Sequence, residues 1–202
     1  MKFNITYKQL LNESLMVNKP EFLLQTYCDI NPNDIIVLSD GRLDVDASVE
    51  INERLIKNGK LIVKFNRVNY DFQIGNFDTY LTSLEGCPVY VGKDFFCDDN
   101  YIKDLTGGPG FVSGNYYCSY SKITSLKGCP KTIGGSFTCN DNKLLKSLDN
   151  CPEKIGSYFE ALDCGKEFTI EEVMSRCDVA YDKMPGDMIY VQNKKVLNKR
   201  TC

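Results

Sequence analysis

The sequence predicts a mostly β repeat protein whose short parallel strands stack into a ribbon-bearing solenoid. An α+β cap precedes the array and a short helical cap follows it. Four prolines, Pro88, Pro109, Pro130 and Pro152, are spaced by 21, 21 and 22 residues. A fixed period of this size is typical of solenoids, in which each unit packs only on its neighbours. We therefore divide the 202 residues into an N-terminal cap (1–66), an array (67–165) and a C-terminal cap with a basic tail (166–202).

The apolar residues keep the same register in every unit. Three residues after each proline come Val91, Val112, Ile133 and Ile155; seven after come Phe95, Tyr116, Phe137 and Phe159; nine after come Cys97, Cys118, Cys139 and Ala161. Residues two apart on a strand point to the same side. We therefore expect strands centred near Phe95, Tyr116, Phe137 and Phe159, with these aromatic side chains directed inward. Fourteen residues after the prolines, the apolar position is assigned to Ile102, Ile123 and Leu144.

The glycines and cysteines have structural interpretations in the same register. Gly134-Gly135 is expected to permit a tight bend before the strand, because no Lys-Ser/Thr and helix follow as in a phosphate loop. Cys97, Cys118 and Cys139 form one inward row, and Cys87, Cys129 and Cys151 form a second row beside the prolines. Free cysteine packs as a small hydrophobe. A disulfide between stacked strands is also geometrically conceivable, but packing is the favoured role.

The chain lacks the residues on which familiar metal and catalytic sites depend. It contains no His and no C-x-x-C pair, so common zinc spacings and Ser-His or Cys-His catalysis are excluded. Asp44, Asp46 and Glu50 lack the glycine and distal glutamate of a calcium loop, which favours a solvated strand face. We expect no catalytic residue, no metal and no cofactor, and hence a protein that is not an enzyme.

Two stretches, SLEGCPVYVGKDFFCDDN and SLKGCPKTIGGSFTCNDN, carry a resemblance to a known family. The unit Phe137-x-Cys139-x-x-Asn142-x-Leu144 resembles the core of a leucine-rich repeat. The chain from Asp40 to Cys164 resembles leucine-rich-repeat-like proteins of tailed-phage genomes, which iterate L-T-S-L-E-G-C-P-x-x-V-G-G-x-F-x-C-x-x-N. The resemblance implies a solenoid and a phage origin, but no activity. Gly108 for Cys, Ser121 for Asn and the extra Leu145 imply slightly irregular coils.

The ends are predicted from turn and capping signals. The N-terminal signals are a capping box at Thr6–Gln9, a helix over Lys19–Cys28, a hairpin of Ile35–Ser39 and Arg42–Asp46 around a type I′ turn, and an Asn58-Gly59 turn before a strand over Lys60–Phe65. The C-terminal signals are a capping box at Thr169–Glu172 that opens a helix to about Cys177, and a break at Met184–Gly186.

Charge and hydropathy limit the partners. The net charge of −3 gives no electrostatic reason to expect a nucleic acid or an anionic membrane. The basic segment Lys194–Arg200 is interpreted as a solvated tail, with a weak alternative as an anion contact. No apolar run reaches the ~20 residues of a membrane span, and MKFNITYKQLLNES lacks a secretion-type apolar core. We expect a cytoplasmic protein, in the bacterial host cytoplasm if it is phage-encoded.

The expected function is non-enzymatic protein binding, through outward side chains on the concave face of the ribbon. The candidate binding residues are Asp94, Phe96, Asp98, Asn115, Tyr117, Ser119, Thr138, Asn140, Tyr158 and Glu160. Phe96 and Tyr117 are the expected anchors, because aromatic residues are enriched at interface hot spots; coverage by the caps is the alternative. The phage resemblance implies a host or host-defence protein as partner. The alternative function is a structural or virion-associated protein that uses the array as a lattice contact.

Overall fold

The computed structural model describes residues 19–75, 80–180 and 189–191, together with the backbone of 194–195. It confirms a mostly β solenoid in which parallel strands stack in about 6 turns at roughly 23-residue spacing. Two α-helices lie in the described part of the chain, α1 (Pro20–Cys28) and α2 (Ile170–Met174).

Each central coil contributes two short strands, one to each of two eight-stranded sheets. Sheet 1 contains, in spatial order, β1 (Ile35–Val37), β2 (Leu43–Val45), β6 (Phe65–Val68), β8 (Tyr90–Val91), β10 (Phe111–Val112), β12 (Thr132–Ile133), β14 (Lys154–Ile155) and β16 (Asp178–Val179). Sheet 2 contains β3 (Val49–Ile51), β7 (Phe72–Ile74), β9 (Phe95–Phe96), β11 (Tyr116–Tyr117), β13 (Phe137–Thr138), β15 (Phe159–Ala161), β17 (Ile189–Val191) and β18 (Lys194–Lys195).

The predicted strand centres are confirmed in sheet 2. Phe95, Tyr116, Phe137 and Phe159 pair in parallel register from coil to coil, and all four are fully buried. In sheet 1 only the N-terminal hairpin was predicted, and the stacked strands from β8 to β16 were not. Its strands hold Val91, Val112, Ile133 and Ile155, which also pair in parallel and face the core. Parallel stacking begins upstream, where β2 pairs with β6 and β3 pairs with β7.

The core lies between the two sheets and a third side formed by buried leucines and isoleucines. This third side includes Leu81, Leu84, Ile102, Leu105, Ile123, Leu126, Leu145 and Leu148. The assignment of Leu144 to this row is wrong, because Leu144 is 52% exposed whereas Leu145 is fully buried. The cause is the longer unit: the extra residue lies between Phe137 and Leu145, so the inward position moves by one.

Glycine is required at the corner between the sheets by close approach of the coils. A Cβ on Gly134 would lie 2.0 Å from the carbonyl oxygen of Ser113, and one on Gly156 would lie 2.0 Å from that of Gly134. Neither glycine adopts the left-handed conformation. The expected tight bend at Gly134 is therefore not the reason for glycine, since no room exists for any side chain.

The N-terminal cap contains the predicted helix and hairpin. Helix α1 spans Pro20–Cys28, and β1 pairs antiparallel with β2. The hairpin turn is not type I′, because Gly41 is left-handed (φ 81°) but Asp40 is not. Asn58 and Gly59 both have positive φ and join β4 (Ile56–Lys57) to β5 (Lys60–Leu61). The predicted strand over Lys60–Phe65 is interrupted, since β5 ends at Leu61 and β6 begins at Phe65. Short 3-10 helices cover Pro32–Asp34 and Glu53–Leu55.

The C-terminal helix begins at the predicted capping box. The Glu172 N–H donates to Thr169 Oγ1 at 3.2 Å, and the Thr169 N–H donates to Glu172 Oε2 at 3.0 Å. Helix α2 ends at Met174 rather than near Cys177, because the chain turns there into β16. The predicted capping box at Thr6–Gln9 and the break at Met184–Gly186 lie outside the described residues.

Candidate functional site

The candidate binding residues lie in three parallel rows along the outward face of sheet 2. The central row contains Gln73, Phe96, Tyr117, Thr138 and Glu160, which pair in register across β7, β9, β11, β13 and β15. One row precedes the strands, and the other follows them. The structure therefore brings the predicted residues together, but the two outer rows differ in function from the central row.

The row before the strands ties neighbouring coils together. The Asp94 N–H donates to Asp71 Oδ1 at 3.0 Å, and the Asn115 N–H donates to Asp94 Oδ1 at 2.7 Å. The Ser136 N–H continues the row by donating to Asn115 Oδ1 at 2.8 Å. Main-chain donors left without a partner at the corner would be costly. Asp94 and Asn115, predicted as binding residues, thus have a structural function.

The row after the strands repeats the arrangement. The Ser119 N–H donates to Asp98 Oδ1 at 2.6 Å, and the Asn140 N–H donates to Ser119 Oγ at 3.1 Å. The Leu162 N–H then donates to Asn140 Oδ1 at 2.7 Å. Ser119 is only 5% exposed, so little of its side chain is available to a partner. This row also fixes the stacking of the coils.

Aromatic residues occupy the middle of the face. The rings of Phe96 and Tyr117 stack with centroids 4.8 Å apart and planes 9° apart, and both residues are half-buried. Each ring therefore packs on the other, while the remaining surface of the pair faces outward. Farther along the face, Tyr158 meets Tyr190 edge-on at 5.7 Å.

The face is acidic. Its rows and the adjoining corner carry Glu50, Asp71, Asp94, Asp98, Asp99 and Glu160, and no Lys or Arg occupies the three rows from β3 to β15. Within residues 19–75 and 80–180, no ion pair includes these carboxylates. Burial raises the pKa of Tyr117, and nearby Tyr158, Asp94, Asp98 and Glu160 raise it further.

Asp98 lies at the most perturbed position of this surface. Burial raises its pKa to about 6, against a smaller lowering by the Ser119 N–H, and the charge of neighbouring Asp99 raises it further. At neutral pH the carboxylate is therefore charged in a partly buried environment, which disfavours the charged form. A group held in this way is a candidate functional residue.

A groove of about 410 Å³ runs along the central row, on the side of the row that follows the strands. Phe96 and Thr138 line it from the central row, Asp98 and Asn140 from the row after the strands, and Asp99 and Tyr120 from the corner. Asp99 and Tyr120 have positive φ (55° and 53°), which turns the chain at this corner. Thr138 is 7% exposed, and its Oγ1 has no hydrogen-bond partner within the described residues. The sequence did not identify Asp99 and Tyr120, because an inward/outward alternation does not show which corner residues border a groove. It did not identify Gln73, because β7 precedes the first of the four regularly spaced prolines.

The cysteines of the inward row are buried and free. Cys97, Cys118 and Cys139 are 0% exposed. Burial raises the pKa of the Cys97 and Cys118 thiols, and the hydrogen bond with Cys164, followed by burial, raises the pKa of Cys139. In the second row Cys87 is buried, whereas Cys129 and Cys151 are half-buried. Within residues 19–75 and 80–180, no group of three or more Cys, Asp or Glu side chains is placed to hold a metal ion.

Comparison with known proteins identifies no relative. No family model, curated protein or solved structure matches the chain.

Among the described residues, no helix is both long enough and apolar enough to cross a membrane.

Proposed function

We propose that this protein is a non-enzymatic solenoid that binds another protein through the outward face of sheet 2. The observation that carries the proposal is the stacked pair of Phe96 and Tyr117, half-buried at the centre of a ribbon of parallel strands. Interface hot spots are enriched in aromatic side chains that have an apolar surface and polar surroundings. The acidic and amide groups around the pair supply those surroundings.

The rows of side-chain acceptors support the proposal through their rigidity. Asp94, Asn115, Asp98 and Asn140 each accept a main-chain N–H of the next coil, so the ribbon is held in one arrangement before a partner arrives. Pre-organisation lowers the entropy that association must overcome. The resemblance to phage-encoded repeat proteins favours a host or host-defence protein as the partner.

The test compares capture of a protein from bacterial lysate by the wild type and by the Phe96→Ser/Tyr117→Ser double variant. We expect partner binding to weaken by at least about 2 kcal/mol, the size of a hot-spot effect. We expect stability to fall by only about 1–3 kcal/mol, because the pair is only half-buried and the lost stack contributes about 0.5–1.5 kcal/mol beyond its buried area. Titration of the captured partner by calorimetry measures the first quantity, and urea unfolding measures the second.

Phe137→Ala is the matched control. Phe137 is the fully buried aromatic of the neighbouring strand, so its truncation should cost about 3–5 kcal/mol by leaving a cavity. A folded double variant that binds the same partner with unchanged affinity would contradict the proposed face. Many copies in purified phage particles, with no captured protein, would instead assign the lattice role.

A further inference from the structure

We propose that the groove beside the central row binds an arginine or lysine side chain of the protein partner. The inference rests on the proposed function and deepens it, since it names the chemistry of the partner at the same face. The groove is bordered by the ring of Phe96, the carboxylates of Asp98 and Asp99, and the amide of Asn140. These groups are an apolar wall, two negative charges and a neutral hydrogen-bonding group.

The shape of the groove fits a side chain. It crosses the coils of β7, β9, β11 and β13, whose strands are spaced by about 4.8 Å, and its volume is about 410 Å³. The (CH₂)₃ or (CH₂)₄ stem of Arg or Lys packs on apolar surface while its charged head reaches polar groups. The ring of Phe96 provides such a surface, and Asp98 and Asp99 lie next to it.

The negative charge of the face favours binding of a cation. Asp98 and Asp99 are consecutive residues, and no Lys or Arg occupies the adjoining rows of sheet 2 from β3 to β15. Asp98 accepts the Ser119 N–H through Oδ1 and also interacts with the Ser119 hydroxyl, and the remaining lone pairs of a carboxylate can accept from a guanidinium or ammonium group. Hydrogen bonds between such cations and carboxylates are among the strongest side-chain contacts.

A second observation, independent of the carboxylates, is the hydroxyl of Thr138. This side chain lines the groove and is only 7% exposed, yet its Oγ1 has no hydrogen-bond partner within the described residues. Unsatisfied buried polar atoms are uncommon in folded proteins. Because this side chain borders the groove, an N–H donor of the bound side chain is the partner that we expect for the hydroxyl.

The burial of Asp98 supports the same conclusion. A carboxylate whose pKa is raised to about 6 is destabilising in its charged form at neutral pH. An asparagine there could also accept the Ser119 N–H, as Asn140 accepts the Leu162 N–H in the same row. The charge is thus unnecessary for stacking. An incoming cation would offset the unfavourable free energy of the partly buried carboxylate by electrostatic attraction.

The experiment measures binding of fluorescein-labelled nona-arginine to the full chain by anisotropy at 150 mM NaCl. The test variant is Asp98→Asn/Asp99→Asn. The matched control is Glu167→Gln/Glu171→Gln, which makes the same change in net charge at exposed positions near α2. We expect the Kd of the test variant to rise by about tenfold or more and that of the control to change less than about twofold. Labelled nona-glutamate is the negative probe and should not bind.

Amide chemical shifts locate the site. Nona-arginine should shift the Ser119 and Asn140 amides, which donate to Asp98 and Ser119, more than the Cys177 and Val179 amides on the opposite side. Equal losses of affinity in the test variant and the charge-matched control, or shifts spread over the whole surface, would contradict the proposal that the groove is the binding site. Partner capture that survives Asp98→Asn/Asp99→Asn but fails in Phe96→Ser/Tyr117→Ser would overturn the groove and leave the proposed function standing. Partner capture unaffected by either variant would contradict the proposed function itself.

Discussion

At the scale of single residues, Asp98 combines a structural bond with an electrostatic cost. Its Oδ1 accepts the Ser119 N–H at 2.6 Å, while burial raises the pKa of the carboxyl to about 6 from an ordinary value of 3.8. Between these two pH values the folded protein keeps a proton that the unfolded chain has released. Stability contributed by protonated Asp98 is therefore lost as pH rises from about 4 to about 6, and stays lost above.

Replacement of Asp98 by Asn removes this cost. Asn keeps the acceptor for the Ser119 N–H but carries no charge, so Asp98→Asn should be more stable than the wild type at pH 7.5 by on the order of 2 kcal/mol. At pH 4 the two proteins should have nearly equal free energies of unfolding. Urea unfolding at both pH values checks the prediction. Glu167→Gln, an exposed carboxylate, is the control and should change stability little at either pH. A destabilised Asp98→Asn at pH 7.5 would show that the charge itself strengthens the bond to Ser119.

At two further residues, departures from the repeat pattern compensate each other in side-chain volume. Gly108 replaces the cysteine of other units, and Tyr116 replaces the phenylalanine of the same coil. A Cβ on Gly108 would lie 2.9 Å from Leu84 Cδ1, 3.1 Å from the Leu105 carbonyl oxygen and 3.2 Å from Tyr116 Oη, which is buried without a hydrogen-bond partner in the described residues. The tyrosine hydroxyl thus fills the space that the cysteine occupies elsewhere.

This pairing predicts a coupled double variant. Gly108→Cys alone should destabilise the protein by about 1–3 kcal/mol, because the new side chain overpacks against Leu84, the Leu105 carbonyl oxygen and the Tyr116 hydroxyl. In Gly108→Cys/Tyr116→Phe, the Cys-Pro…Phe pattern of the other units is restored, and the part of that loss caused by the hydroxyl should be recovered. A double-mutant cycle by chemical unfolding should give a coupling of at least about 1 kcal/mol. Additive effects would mean that the two positions do not share this space.

At the scale of the structural element, the strands of a coil can be predicted from the sequence where one type of residue repeats at a fixed spacing, and less well elsewhere. The strands at Phe95, Tyr116, Phe137 and Phe159 follow from the aromatic spacing and are confirmed. The strands of sheet 1 could not be predicted because each central coil has a single inward side chain there, such as Val91. In sheet 2 each coil has an inward pair two residues apart, such as Phe95 and Cys97, and that spacing indicates a strand.

The corner glycines yield a prediction at this scale. Gly134→Ala should destabilise the protein by about 2 kcal/mol or more, because its Cβ would lie 2.0 Å from the Ser113 carbonyl oxygen, a backbone atom of the adjacent coil. Gly110→Ala is the matched control, since its Cβ would have ordinary contact at 3.7 Å with the Val89 carbonyl oxygen. It should change stability by less than about 0.5 kcal/mol. Similar melting temperatures for the two variants would show that the coils can separate at the corner at little cost.

At the scale of the whole molecule, the candidate site was only partly predictable. The sequence placed the binding residues on one face, but the alternation that identifies outward positions carries no information about hydrogen bonds between coils. Asp94 and Asn115 were therefore counted as binding residues, although they hold the corners. The groove depends on the left-handed corner at Asp99 and Tyr120 and on the burial of Thr138, which arise only when coils stack.

The buried thiols test whether the stacked coils unfold as one unit. Cys97, Cys118 and Cys139 lie in three consecutive coils and are fully buried, whereas Cys164 is partly exposed and has a pKa lowered by a hydrogen bond from Cys139. Only the exposed thiolate reacts with an alkylating reagent. Under native conditions at pH 8, Cys164 should therefore be alkylated by iodoacetamide well before the three buried thiols.

A solenoid has only nearest-neighbour contacts, so its coils can in principle open separately. Here side-chain acceptors link each coil to the next along both edges of sheet 2. Phe137→Ala should accordingly raise the alkylation rates of Cys97, Cys118 and Cys139 by the same factor, about 100-fold or more for a loss of about 3–5 kcal/mol. Peptide mass spectrometry resolves the three sites. Faster alkylation of Cys118 and Cys139 with Cys97 unchanged would show that the hydrogen-bonded rows do not make the array cooperative.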